Sequence, residues 1–176
     1  FLVLPEGLTK GGPNLPPAAP FHLPPVLPTI FGGHRVGPDG KGHQSCFCWD
    51  GKSWSVADKS RLVIFGEFVP LRDQLPFLSN FHLPSGDLVP GEGTKTLDIS
   101  GVKVGPVICF EAMFFDIAQK QAENGARLLA VQSIDDWYMG SGMPEQLFAA
   151  TAFRAAENGL PVARAASMGI SAAFDS

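Results

Sequence analysis

The stretch GVKVGPVICFEAMF, residues 101–114, decides how this chain is read, because it carries a cysteine from the end of an apolar strand into the start of a helix. Val102, Val104, Val107 and Ile108 are β-branched and predict a buried strand. From Glu111 onward the residues Asp116, Gln119, Lys120, Gln121 and Glu123 carry a helical pattern that ends at Asn124-Gly125, a C-terminal stop. Cys109 is thereby placed at a strand-to-helix turn. Unpaired N–H groups at a helix start carry partial positive charge, which favours thiolate over thiol and can hold a developing oxyanion. The local pattern leaves a second reading open, in which Cys109 is a small buried hydrophobe at a strand end.

Composition narrows the classes. With 176 residues, 45% of them hydrophobic, residues 1–176 can form one domain around a sizeable core. A net charge of -4, with 13 Lys and Arg scattered along the chain, gives neither a nucleic-acid footprint nor a polybasic membrane contact. Three cysteines do not make a disulfide framework, and Cys46-Phe47-Cys48 puts both sulfurs on one face of a strand. His34 and His43 lie near them without supplying a second ligand pair, so neither metal nor cofactor is expected. No apolar run reaches membrane-spanning length. Residues 1–4 and 169–174 both read as strands at the ends of the sequence, so the sheet is expected to continue in both directions and the fold to be incomplete at both ends.

Along the chain, residues 1–4 form an apolar strand that presents Glu6, and the Pro- and Gly-dense residues 9–28 read as a surface excursion. Residues 26–31 and 44–49 read as strands joined by the Gly-rich residues 32–42, with Lys59 at the end of the following loop. Loop and short helix follow to residue 81, and turn material at 86–93. After the cysteine strand and its helix come a buried strand at 128–132 and the polar turn Asp135-Asp136-Trp137-Tyr138. Pro144 opens a helix with Leu147, Phe148, Thr151 and Ala155 on its apolar face, ending at Asn158-Gly159. Strands at 162–166 and 169–174 complete the pattern. Strand pairs first and strand–helix alternation later predict a layered α/β sandwich.

Glu6, Lys59 and Cys109 each stand just after a predicted strand or at a loop end, and together they are the three groups that acyl transfer needs. A carboxylate takes the thiol proton, the thiolate attacks a carbonyl, and an ammonium with a backbone N–H holds the tetrahedral oxyanion. Taken singly, Glu6 also fits a surface carboxylate and Lys59 a solvated loop lysine.

A resemblance joins these residues. Leu4-Pro5-Glu6, Lys59 ahead of LVIFGEFVPL, Val107-Ile108-Cys109-Phe110-Glu111, Asp135-Asp136-Trp137-Tyr138, and the run from Arg154-Ala155-Ala156-Glu157 through Arg164 to Gly169-Ile170-Ser171 follow one another as in the carbon–nitrogen hydrolase (nitrilase) superfamily. FGEFVPL after the lysine is the most specific piece, and with it the chain resembles the apolipoprotein N-acyltransferase branch, bacterial membrane enzymes that complete lipoprotein maturation. The resemblance covers nearly the whole chain and thins over residues 7–25. It implies a nitrilase-like αββα sandwich, a Glu-Lys-Cys triad at Glu6, Lys59 and Cys109, and supporting or substrate-binding roles for Glu67, Phe68, Leu71, Phe110, Glu111 and Trp137. It further implies a phospholipid acyl donor, an apolipoprotein acceptor, and a thioester intermediate. The place would be the bacterial inner membrane, with this domain on the extracytoplasmic side behind membrane helices that this sequence does not contain.

The chain departs from the family pattern at Leu4 for a tryptophan, Phe110 for a tyrosine, Ile64 for a proline, and Ser167 and Met168 for two asparagines. None of these is a triad position. A soluble amidase would share the triad but need a small polar pocket, whereas an acyltransferase needs an apolar path to lipid. Phe65, Phe68, Val69, Leu71, Leu75, Phe77, Leu78 and Phe81 supply such a path within residues 65–81, or else fill a core beneath a long loop. A catalytically dead interaction domain would lack one of the three groups, and all three are present.

Overall fold

A computed structural model describes residues 1–7, 27–74, 77, 83, 86–138 and 140–176; the excursion expected over residues 9–28 falls almost wholly outside them. The described residues build two mixed sheets. The first has the order β1 (Leu2–Val3), β2 (Thr29–Val36), β3 (Gly42–Trp49), β4 (Trp54–Asp58), with β1 parallel to β2 and the other pairs antiparallel. The second has the order β5 (Leu97–Ile99), β6 (Val102–Ile108), β7 (Leu128–Ile134), β8 (Val162–Ser167), β9 (Ala172–Phe174). Here β6, β7 and β8 run parallel, and the helices α1 (Phe115–Glu123) and α2 (Met143–Asn158) make the two crossovers that parallel pairing requires.

Alternation along β7 shows how the layers are stacked. Leu129 and Val131 join Ile117, Ala118 and Ala155 in the core between sheet and helices, while Ala130 joins Ile30, Cys46, Cys48 and Ala57 in the core between the two sheets. A strand buried on both faces reads as the unbroken apolar run seen in the sequence. Sheet, sheet and helix are therefore three layers of the expected nitrilase-like sandwich. Among the described residues, α-helices cover the five-stranded sheet only.

Several boundaries differ from the sequence reading. β2 runs on to Val36 instead of stopping at Phe31, because Gly32 lets the backbone pass Glu6: a Cβ there would sit 2.7 Å from the Glu6 Cα. The hairpin loop shrinks to residues 37–41. β4 and β5 escaped the periodicity test because both are short edge strands with one polar face. The helix after the cysteine begins at Phe115 and not at Glu111; residues Cys109–Met113 form a 3-10 turn, followed by an extended Phe114 (φ −107°). The cause is Glu111, whose carboxylate folds back to take the Ile108 N–H at 2.9 Å instead of lying along a helix.

At the C-terminal end of β7, Asp135 pairs with Arg164 at 2.8 Å with neither side chain exposed, and accepts the Ser133 hydroxyl at 2.5 Å. A Cβ on Gly169 would stand 1.9 Å from that carboxylate, so glycine is required there. Asp135→Ala strands a buried guanidinium and is expected to destabilise the domain by about 3–5 kcal/mol, read as a lowered urea midpoint with the slope unchanged.

Candidate active site

Four acidic, basic and thiol side chains converge where the C-terminal ends of β1 and β6 face the loops after β4 and β7. Glu6 is 3% exposed; its backbone is fixed by the Gly32 N–H donating to the Pro5 carbonyl at 3.1 Å, and its Oε2 accepts the Ile134 N–H at 3.2 Å. The carboxyl thus links the first sheet to the end of β7 in the second. Lys59, 1% exposed, directly follows β4, and its Nζ donates to Glu67 Oε1 at 2.7 Å. The other Glu67 oxygen accepts the Val63 N–H at 2.8 Å, which closes the turn around the carboxylate.

Cys109 follows β6 in a left-handed backbone conformation, φ +54°, that a non-glycine residue adopts only when its surroundings enforce it. Glu111 enforces it. One Glu111 oxygen accepts the N–H groups of Ser60 and Arg61 at 2.8 and 3.0 Å and the Ser60 hydroxyl at 2.9 Å, while the other takes the Ile108 N–H. A single buried carboxylate therefore ties the residue after Lys59 to the residue before Cys109.

The electrostatics follow from burial. Desolvation pushes the Glu6 carboxyl up to about 7; Lys59 opposes that rise, Glu67 adds to it, and the Cys109 thiol bonds to the carboxyl. Desolvation alone would pull Lys59 down, but Glu6, Glu67 and Cys109 together outweigh it and keep the ammonium charged well above its ordinary range. The Cys109 thiol is pushed up to about 12, chiefly by burial and then by Glu6, against the pull of Lys59. This corrects the expectation of a thiolate favoured at a helix start. The helix proper begins six residues later, and a desolvated sulfur beside a carboxylate keeps its proton. What the arrangement offers is a thiol with a carboxylate acceptor against it and a fixed cation beside both.

Glu6, Glu67 and Cys109 line a cavity of about 440 Å³ together with Val63, Leu88, Ile134, Trp137 and Tyr138, within the usual range of small-molecule sites. Trp137, on its wall, is more than half exposed, and so are Ile64, Phe65, Leu71 and Phe77 in the segment of chain that carries Glu67. Of the apolar stretch expected in residues 65–81, Val69 is buried and Phe68 half-buried, while Leu75, Leu78 and Phe81 lie outside the described residues. Phe110 makes an edge-on contact with Phe114 at 5.4 Å and packs against the core between the sheets. Cys46 and Cys48 are fully buried in the same core. Asp135, Arg164 and Tyr138 were not singled out from the sequence as site residues; the signal was there in a run of polar residues directly after a buried strand.

Fold and site together define an α/β sandwich of the nitrilase kind with a buried thiol. The chain belongs to the carbon–nitrogen hydrolase family, whose pattern matches residues 43–176. It is 38% identical over 120 residues to the apolipoprotein N-acyltransferase of Geobacter metallireducens, covering 68% of this chain and 23% of that protein. It is 31% identical over 166 residues to the apolipoprotein N-acyltransferase of Gloeobacter violaceus, covering 90% of this chain and 32% of that one. The chain thus spans 23% and 32% of the length of these two relatives. In structure it resembles a carbon–nitrogen hydrolase from Helicobacter pylori (TM-score 0.58, 19% identity, 80% of this chain and 46% of that chain). It also resembles Saccharomyces cerevisiae Nit3, of the nitrilase superfamily (TM-score 0.59, 22% identity, 84% of this chain and 52% of that chain).

The charge arrangement sets a pH dependence. A Glu6 carboxyl raised from its ordinary 4.5 to about 7 holds its proton more tightly in the folded state, so it lowers stability as pH rises between those values. Only above about 7 is it free to accept the thiol proton. Iodoacetamide labelling of Cys109 is therefore expected to rise through pH 7 and then flatten, with Cys46 and Cys48 unlabelled in the folded protein. Glu6→Gln should remove that limb and shift the rise toward the thiol's own range. A wild-type profile that climbs only near the ordinary thiol value of about 8.5 would separate Glu6 from the sulfur.

Proposed function

We propose that the chain is the catalytic domain of an N-acyltransferase that moves a fatty acyl chain from a phospholipid to the N-terminal amine of a diacylglyceryl-cysteine apolipoprotein. The observation that carries this reading is a buried thiol lining a cavity beside the exposed Trp137, in a chain whose relatives bear that name. Exposed apolar side chains such as Trp137, Phe65, Leu71 and Phe77 suit contact with lipid. In the first half-reaction Glu6 takes the Cys109 proton, sulfur attacks the ester carbonyl, and Lys59 with a backbone N–H holds the oxyanion. Collapse breaks the ester C–O bond, the departing alkoxide takes the proton from Glu6, and an acyl-Cys109 thioester remains. In the second half the acceptor's α-amine attacks the thioester, Glu6 takes the amine proton, and the C–S bond breaks to leave an amide as Glu6 returns that proton to the Cys109 sulfur.

Glu67 supports this scheme by holding Lys59, and Glu111 by fixing both loops. No helix among the described residues is long and apolar enough to cross a membrane. Membrane contact in this reading comes from Phe65, Leu71, Phe77 and Trp137 and from helices carried by the remainder of the natural protein. The bacterial inner membrane, with the domain on its extracytoplasmic face, is the corresponding location.

The full-length protein incubated with phospholipid vesicles alone should accumulate one acyl group on Cys109, read by intact mass spectrometry, and Cys109→Ala should accumulate none. A diacylglyceryl-cysteine peptide with a free α-amine should discharge it, and the same peptide with a blocked amine should not. Phe65→Ser or Leu71→Ser should slow loading from vesicles roughly tenfold or more while leaving iodoacetamide labelling unchanged, since each removes an exposed apolar anchor. Release of free fatty acid without acceptor, or turnover of small amides with no lipid-dependent mass change, would make the protein an amidase.

A further inference from the structure

Tyr138 is the single tyrosine of the chain and ends the 3-10 turn Asp136–Tyr138 directly after β7. Its backbone is pinned from both sides. Its N–H donates to the Asp135 carbonyl at 3.0 Å, and its own carbonyl accepts the Ser141 N–H at 3.0 Å and the Ser141 hydroxyl at 2.6 Å. Asp135 is in turn locked by Arg164, so the turn cannot drift from the end of β7, where the Ile134 N–H holds Glu6. The side chain lines the same cavity as Cys109, Glu6 and Glu67. Among the described residues no hydrogen bond engages its hydroxyl.

We propose that Tyr138 is a further catalytic residue whose hydroxyl donates a hydrogen bond to the ester group of the acyl donor as Cys109 attacks it. The proposal rests on the acyl-transfer reading above and adds a donor to it. Three observations converge on that role. A cavity wall needs only an aromatic ring, which phenylalanine supplies; a phenol without a protein acceptor keeps its O–H available to a ligand in the cavity. Neighbouring Trp137 lines the same cavity, is 58% exposed and packs against Gly66, whose Cβ position lies 3.2 Å from its ring, so the turn lays two consecutive aromatic residues on the cavity wall and only Tyr138 brings a hydroxyl. Finally, burial and the charges of Cys109, Glu67 and Glu6, opposed by Lys59, keep the phenol proton in place up to about 12, so the group is a neutral donor at every pH at which Glu6 acts as base. Lys59 supplies the cationic partner of the oxyanion, and a neutral donor facing it from β7 adds a second direction of support without placing another charge in the site.

The test uses the full-length protein and the variant Tyr138→Phe, which removes one oxygen and keeps the ring. Two acyl donors load Cys109: vesicles of phosphatidylethanolamine and phosphatidylglycerol, and a water-soluble p-nitrophenyl ester. Loading is followed by intact mass. Tyr138→Phe is expected to load about 10- to 100-fold more slowly from vesicles at saturation, with the half-saturating lipid concentration and the iodoacetamide labelling of Cys109 unchanged. The same loss with the p-nitrophenyl ester places the bond on the carbonyl oxygen; a loss confined to lipid places it on the departing oxygen, since p-nitrophenoxide leaves unaided. Either result supports the proposal. Unchanged loading from both donors, or a loss of iodoacetamide labelling in parallel with acylation, overturns it. A wild-type protein that loads from the p-nitrophenyl ester but never from vesicles refutes the lipid-dependent function instead, and the p-nitrophenyl comparison then decides the role of Tyr138 on its own.

Discussion

The constraint on which the site depends is the burial of the Lys59 ammonium, 1% exposed and 2.7 Å from Glu67. An isolated charge at that depth would lose its proton or unfold its surroundings. The protein keeps it by placing carboxyl groups and a thiol around it, and the buried Glu6 carboxyl and Cys109 thiol are both pushed above their ordinary ranges. Glu67 is the fixed counter-ion: both of its oxygens are engaged, one by Lys59 and one by the Val63 N–H. Glu6 is the adjustable one, raised to about 7 because Lys59 is already paired elsewhere and cannot fully offset its desolvation. One paired lysine thus divides the two neighbouring carboxyls into a structural partner and a base.

Such a cluster works only if loops from two sheets are held in register, and here a third carboxylate does the holding. Glu111 touches the residues flanking Lys59 and Cys109 and not those side chains themselves, so it acts on position. It also explains the backbone at the thiol. By drawing the chain back on itself it replaces the first helical turn with a 3-10 turn and leaves Cys109 at φ +54°, a conformation worth roughly 1–3 kcal/mol of strain that four hydrogen bonds to one carboxylate sustain.

How much of this was legible in the sequence follows from which forces leave a periodic trace. β6, β7 and β8 were legible because strands buried on both faces read as apolar runs, and α2 because Pro144 and Gly159 mark its two ends. Glu6, Lys59 and Cys109 were legible as residues at strand ends, and the structure brings them into one buried charge cluster, with Glu6 and Cys109 on the cavity wall. What the sequence hid was long-range. Nothing near Glu111 announces that its partners lie fifty residues upstream, and nothing near Asp135 announces Arg164. The proton affinity of Cys109 was misjudged for the same reason: the local rule weighs the helix end, while the actual balance is set by depth and by a carboxyl brought from the first sheet.

A carboxyl poised near 7 bears on how the proposed triad could serve hydrolysis or transfer. In the proposed acyl transfer Glu6 would accept a proton from sulfur and return it to a leaving oxygen, then accept one from an amine; a carboxyl at its ordinary 4.5 would take the first proton poorly, and one far above 7 would never release it. The same carboxylate could activate water as readily as an amine, so nothing in its chemistry selects the acceptor. Selection therefore falls to what reaches the thioester. Here Trp137 lines the cavity and is exposed, and Phe65, Leu71 and Phe77 are exposed apolar side chains of the same chain, groups that exclude water best when they are covered by an apolar medium. On this argument the division between amidase and acyltransferase lies in the exposed apolar side chains and not in Glu6, Lys59 and Cys109.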